Sequence, residues 1–218
     1  MKNKIIRIFS FFLFAFCILM ISQNEVCAAT NVGKLSIVSD GSTAEASYGV
    51  HSFLLYKNTS KSSQTIAGVT VKPNESITIG TYGNQSNGKG VYVNLEAYYA
   101  QNYNSYANRV SLTTNISSSQ LKTITQKIDK CNKWTYTNNC AWFAKEVWNT
   151  VAPKSKRLSA GVPPTPKTLS KNIKKNSTYK KKISLPKGKS VYRYNTNGKA
   201  GSSSASRKKN SSISSWGS

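Results

Sequence analysis

The chain has 218 residues, with 31 Lys and Arg against seven Asp and Glu, giving a formal charge of +24. An excess of that size concentrates a protein on polyanions through a long-range field that salt screens. With one histidine, scattered acids and only Cys131 and Cys140 beyond the first 28 residues, neither a metal site of recognisable spacing nor the disulfide framework that supports small secreted scaffolds is expected.

The first element is an export signal. Lys2, Lys4 and Arg7 precede an apolar run from Ile8 to Ile21 broken only by Ser10, and the small residues of Val26-Cys27-Ala28-Ala29 follow. This is the layout of a secretory signal peptide over residues 1–28. The run spans 14 residues, short of the roughly 20 that a membrane-spanning helix needs. The residues before Cys27 lack a lipoprotein pattern, so Cys27 belongs to the removed segment. Cleavage leaves 28 basic and six acidic side chains, a charge of +22, and no acid occurs from Val147 to Ser218. The roughly 190 residues that remain fit one domain and a tail, since domains commonly run to about 100–150 residues.

Residues 33 to 99 read as β-structure. Leu35–Val38, Val50–Tyr56, Thr65–Val71, Ser76–Thr81 and Val91–Leu95 are short β-branched and aromatic runs, punctuated by Asp40-Gly41, Pro73-Asn74 and the segment from Gly83 to Gly90. Without strand-helix-strand alternation the sheet is expected to be antiparallel. Ser117-Ser118-Ser119-Gln120 is a capping box ahead of Leu121, Ile124 and Ile128, a helix ending near Asp129. A second helix starts at Cys140, where Cys140, Phe143, Ala144, Val147 and Val151 share one face, and Pro153 stops it. Val162-Pro163-Pro164-Thr165-Pro166 is an extended connector. Lys167–Lys175 predicts a short basic helix with Leu169 and Ile173 inward, and Ile183–Tyr194 a last strand or hairpin. From Gly198 the chain is too polar to repay ordering and reads as a disordered tail. The glycine-rich segment ending at Gly90 lacks the following helix that a phosphate-cradling loop needs.

Two residue types carry the candidate chemistry. Asn139 suits a helix cap, leaving Cys140 in the first turn, where unpaired N–H groups and a partial positive charge favour a thiolate and can hold an oxyanion. His51, the lone histidine, lies on the strand Val50–Tyr56, its face shared with Phe53 and Leu55. An imidazole near that thiol would take its proton. A serine hydrolase would need the same histidine, and there is no Gly-x-Ser-x-Gly elbow.

Gly49-x-His51-x-Phe53 on an early strand, with Asn139-Cys140-x-x-Phe143-Ala144 far downstream on a helix, resembles the circularly permuted branch of the NlpC/P60 papain-like superfamily. The resemblance covers roughly residues 45–150 and implies an α+β fold in which a small antiparallel sheet packs on helices; the expected organisation is a papain-like domain over residues 29–152, a basic extension over 153–197 that completes the fold and, from its composition, a disordered tail over 198–218. It implies a thiol hydrolase or acyltransferase acting on peptide, amide or ester bonds, cell-wall peptides among its substrates. Cys140 is then the nucleophile and His51 the general base, with no metal or other cofactor. A polar third residue orients the histidine in such families, and Glu96 is the candidate here, with Asn94 and Asn84 as substitutes.

A Cys131–Cys140 disulfide is the rival reading of the cysteine, giving a non-catalytic, toxin-like module that adheres to cell surfaces through charge. Tyr92, Tyr98, Tyr99, Tyr103 and Tyr106 form either a stacking platform or half-buried packing. The basic region, with Lys174, Lys175, Lys180, Lys181 and Lys182 at its centre, is expected to hold a secreted monomer on anionic wall polymer or anionic membrane, in preference to nucleic acid.

Overall fold

In the computed structural model, which describes residues 30–42, 50–85, 88–195 and, as backbone alone, 200–202, two long strands form the middle of the molecule. β1 (Asn31–Asp40) and β2 (His51–Asn58) pair antiparallel, from Gly33 opposite Asn58 to Asp40 opposite His51. Both are buried along nearly their whole length, which is why their composition is so rich in Leu, Ile, Val, Phe and Tyr.

A small hairpin, β3 (Gln64–Ile66) and β4 (Val69–Val71), follows. The single strand expected over Thr65–Val71 is folded in two because Ala67 and Gly68 take φ of 48° and 69°, the left-handed pair that a two-residue hairpin turn demands. β5 (Ser76–Tyr82) and β6 (Gly90–Val93) extend the main sheet. Asn94 then adopts φ 64°, which ends β6 and turns the chain into helix α1 (Leu95–Tyr103). The expected strand Val91–Leu95 therefore ends two residues early, and Glu96 stands in the first turn of a helix.

The remaining elements are β7 (Val110–Ser117), α2 (Ser118–Lys130), α3 (Cys140–Val151), one 3-10 turn (Lys154–Lys156), α4 (Pro166–Lys174), β8 (Lys180–Lys181), β9 (Tyr192–Tyr194) and β10 (Ala200–Ser202). The capping box of α2 is complete: Ser117 Oγ accepts from Gln120 N, and Gln120 Oε1 from Ser117 N. Only Tyr192–Tyr194 of the expected strand Ile183–Tyr194 is a strand. β10, within the stretch expected to be a disordered tail, pairs with β9. The expected signal peptide, residues 1–28, and residues 203–218 lie outside the described residues.

The protein is α+β: eight antiparallel strands in the order β10-β9-β6-β5-β2-β1-β7-β8, with four α-helices among the described residues. The sheet is larger than expected because β7, not anticipated from its Thr-rich sequence, pairs along β1, and the chain beyond residue 153 adds edge strands. On one face, Leu35, Ile37, Leu54, Tyr56 and Ile79 pack with α2, α3 and α4, and Trp148 and Phe143 of α3 are fully buried there. Each such side chain contributes about 1.5–3 kcal/mol. On the other, Val38, Phe53, Leu55 and Tyr82 pack with Leu95 and Tyr99 of α1, Tyr106 and Val191. No helix among the described residues is long and apolar enough to cross a membrane.

Candidate active site

The N-terminus of α3 is fixed by one side chain. Asn139, in extended backbone, accepts from the N–H groups of Ala141 and Trp142 at 3.1 and 3.2 Å through Oδ1. Its Nδ2 donates to the carbonyls of Tyr136 and Pro164 at 3.2 and 2.8 Å, which ties the helix start to the proline connector. Cys140 follows in the first turn, 3% exposed.

His51 begins β2, near the middle of the sheet, and is wholly buried. Its Nε2 donates to Glu96 Oε1 at 3.2 Å, and Glu96 is equally buried. The 45-residue interval between them is closed because β2 pairs with β5, β5 with β6, and α1 folds back from β6 onto β5. Gly80 of β5 makes this meeting possible: a Cβ there would overlap Glu96 Oε1 and lie 3.0 Å from His51 Nε2. Glycine inside a strand often marks such a close approach.

With Nε2–H committed to the carboxylate, Nδ1 is the nitrogen left to exchange a proton. Among the described residues it has no hydrogen-bond partner, and Cys140 acts on the ring through its charge. Burial pulls the imidazole pKa down, but the charge of the nearby Cys140 and then Glu96 override that and push it up to about 9. Glu96 Oε2 has no hydrogen-bond partner among the described residues, a buried polar cost of about 1–3 kcal/mol carried at this site.

Aromatic rings enclose the imidazole. Tyr82 lies 4.5 Å from it, Tyr106 5.6 Å and Phe53 5.9 Å between centroids. The two tyrosine hydroxyls stand 3.4 Å apart, and burial first, then the charge of Glu96, holds both well above the usual phenol range, so both stay neutral. Tyr106 adopts φ 60°, which costs about 1–3 kcal/mol for a non-glycine residue and points to a backbone held in place by its surroundings. Of the tyrosines considered as a stacking platform, Tyr92, Tyr99 and Tyr106 are buried packing and Tyr103 is half exposed. Gly80, Tyr82 and Tyr106 are site residues that the sequence reading missed. Only Gly80, a glycine inside a β-branched run, carried a visible signal.

The substitutes for Glu96 are occupied elsewhere. Asn94 accepts from Thr78 N and donates to the Ser190 carbonyl, and Asn84 bonds the neighbouring Gln85. Cys131 and Cys140 are both free, so the bridge of the rival reading is not formed. The Cys131 thiol, raised by burial, lies near Lys127, Glu146 and Lys145. Lys145 and Glu146 are five and six residues beyond Cys140 on α3, turned about 140° and 240° from it at about 100° per residue, so the two thiols belong to different sides of that helix. Lys174, Lys175, Lys180, Lys181 and Lys182 are all exposed, and none makes an ion pair among the described residues. Lys180 and Lys181 form β8, the outer strand beside β7, where lysines also deter edge-to-edge pairing. Among the described residues no cluster of three potential metal ligands occurs. No family model matches the sequence, and no curated protein or solved structure shows significant similarity to it.

Proposed function

We propose that this chain is a secreted thiol hydrolase of the permuted papain-like kind, acting on peptide or amide bonds such as those of cell-wall peptides. The observation that carries the reading is the placement of the one histidine: Nε2 bound to a buried carboxylate, and Cys140 at a helix N-terminus acting on the same ring. A merely structural histidine has no need of a buried anion on one side and a thiol on the other.

The chemistry follows from the protons. In the proposed reaction His51 takes the thiol's proton, and Sγ of Cys140 attacks the carbonyl carbon as a thiolate. The developing oxyanion faces the start of α3. There the N–H groups of Ala141 and Trp142 are committed to Asn139, leaving the N–H of Cys140 itself as the donor. The imidazolium gives its proton to the departing amine, which leaves a thioester on Cys140. Water, losing a proton to His51, attacks the thioester carbonyl. Acid is released and the thiolate and imidazolium are restored. Glu96 fixes the ring orientation and stabilises its charged form. The exposed lysines hold the enzyme on anionic wall polymer or membrane, in preference to nucleic acid.

The test uses p-nitrophenyl acetate as acyl donor and mass spectrometry of the mature chain. Acetylation of Cys140, absent in Cys140→Ala and retained in Cys131→Ala, is the expected result. Unchanged p-nitrophenol release by Cys140→Ala would remove the nucleophile from the proposal, and absence of any Cys140 adduct in the wild-type chain would remove the activity.

A further inference from the structure

Away from the thiol, a groove of about 320 Å³ runs between residues 155–159 and 172–176. Its lining is Ser155, Arg157, Leu158, Ser159, Asn172, Lys175 and Asn176. Two cationic and two hydroxyl side chains line it, and there is no acid among the lining residues.

The groove is built, with its walls pinned from three directions. Asn149 of α3 clamps Leu158 twice, donating to its carbonyl at 2.8 Å and accepting its N–H at 2.9 Å, and Trp148 Nε1 donates to the Lys156 carbonyl at 2.8 Å. Across the groove, Asn172 Nδ2 donates to the Ser159 carbonyl at 2.8 Å and Asn176 Nδ2 to the Ser155 carbonyl at 3.5 Å. These bonds hold the two walls at a fixed spacing. The carbonyls of Asn172 and Ile173 at the end of α4 accept from Lys175 N–H and that of Ile173 from Asn176 N–H, so the helix end does not present bare acceptors to an anion. Oδ1 of Asn172 accepts nothing among the described contacts and is free for a hydroxyl.

We propose that this groove binds a phosphoryl group carried on a small polyol or sugar. The guanidinium of Arg157 offers a flat fork of donors that suits two phosphoryl oxygens, the ammonium of Lys175 a point charge, and Ser155 and Ser159 further donors. Asn172 Oδ1 takes a hydroxyl of the carrier, and half-buried Leu158 meets its carbon skeleton. The volume is at the small end of ligand pockets, fitting one phosphorylated unit of a polymer or one lipid headgroup and not a folded partner. Asn149, which pins one wall through Leu158, lies nine residues along α3 from Cys140, about 14 Å at about 1.5 Å per residue, so the groove is a site separate from the thiol. It stands whether or not Cys140 is a nucleophile.

The experiment is an amide NMR titration of the mature chain with inorganic phosphate and with glycerol 3-phosphate. Saturable shifts confined to residues 155–159 and 172–176, tighter for glycerol 3-phosphate, are expected. They should weaken at least tenfold in Arg157→Gln/Lys175→Gln. Lys122→Gln/Lys130→Gln, which removes the same charge from exposed positions on α2, should stay within twofold of wild type. Equal weakening in both pairs, or shifts spread over the basic surface, would reduce the effect to diffuse charge and overturn the site. Two further arms identify the source: a soluble glycerol phosphate oligomer and phosphatidylglycerol vesicles. Loss of oligomer binding in the groove variant assigns it to a polymer, and loss of vesicle binding to a lipid headgroup. Retention of both overturns the proposal.

Discussion

Gly80→Ala is the sharpest single test of how the site is held. The added methyl group would overlap Glu96 Oε1 and crowd His51 Nε2, and the backbone at this point cannot yield cheaply, because Gly80 is paired with Tyr92 on β6 and its neighbour Ile79 with Leu54 on β2. Glu96 must therefore swing away from the imidazole. The lost bond involves a charged partner and is worth about 1.5–3 kcal/mol, which at about 1.4 kcal/mol per tenfold slows acylation of Cys140 roughly 10–100-fold. Overpacking lowers folding stability by a further ~1–3 kcal/mol. The readout is unambiguous because the chain has one histidine: its imidazole signals, followed by NMR, titrate near 9 in the wild-type protein and lower in Gly80→Ala. Glu96→Gln, which keeps the size and removes the charge, should lower the titration without the overpacking. A folded Gly80→Ala with unchanged imidazole titration and unchanged acylation would refute the account of Glu96 as the group that positions His51.

His51 also sets a pH dependence of stability. Its folded pKa, about 9, lies above the unfolded value of 6.5, so its contribution is complete below 6.5 and is lost as pH rises through about 9. That contribution is about 3 kcal/mol, and Cys140, Glu96, Tyr82 and Tyr106 are the titratable groups that face the ring. Urea denaturation of wild type and His51→Gln should therefore differ more at about pH 6 than at about pH 9.5; a gap that widens with pH would contradict it. Asn139→Ala should cost about 1–2 kcal/mol by thermal denaturation and slow Cys140 labelling, whereas Asn139→Asp, which keeps the cap and loses the links to Tyr136 and Pro164, should cost less. Iodoacetamide applied to the folded protein should label Cys140 at least tenfold faster than Cys131, whose thiol burial pushes up.

The sequence reveals helices more readily than the places where they meet the sheet. α2 and α3 were legible because each has an unambiguous start, Ser117 with Gln120 and Asn139, and an apolar face at regular spacing. Cys140 and His51 were legible as chemistry, each being rare in this composition. α1 was not, because Leu95–Tyr103 lacks one apolar face, and its start depends on Asn94 entering the left-handed region while its side chain bridges Thr78 and Ser190. β7 was hidden for a related reason: its Thr-rich sequence has little hydrophobic contrast, and it becomes a strand by pairing along β1.

That difference locates what sequence reasoning can and cannot assign at the site. Glu96 was chosen for being scarce, on a strand that the chain does not form there. What makes it the histidine's partner is a three-body arrangement of α1, a missing side chain at Gly80 and the first residue of β2. Such a meeting has no local periodicity to read, since each participant obeys the rules of its own element and their proximity arises from sheet order. The rings of Tyr82 and Tyr106 belong to the same class, set against His51 by a β5 register and a left-handed residue after α1. In this fold the candidate reactive atoms are announced by composition, and the residues packed around them are fixed by topology.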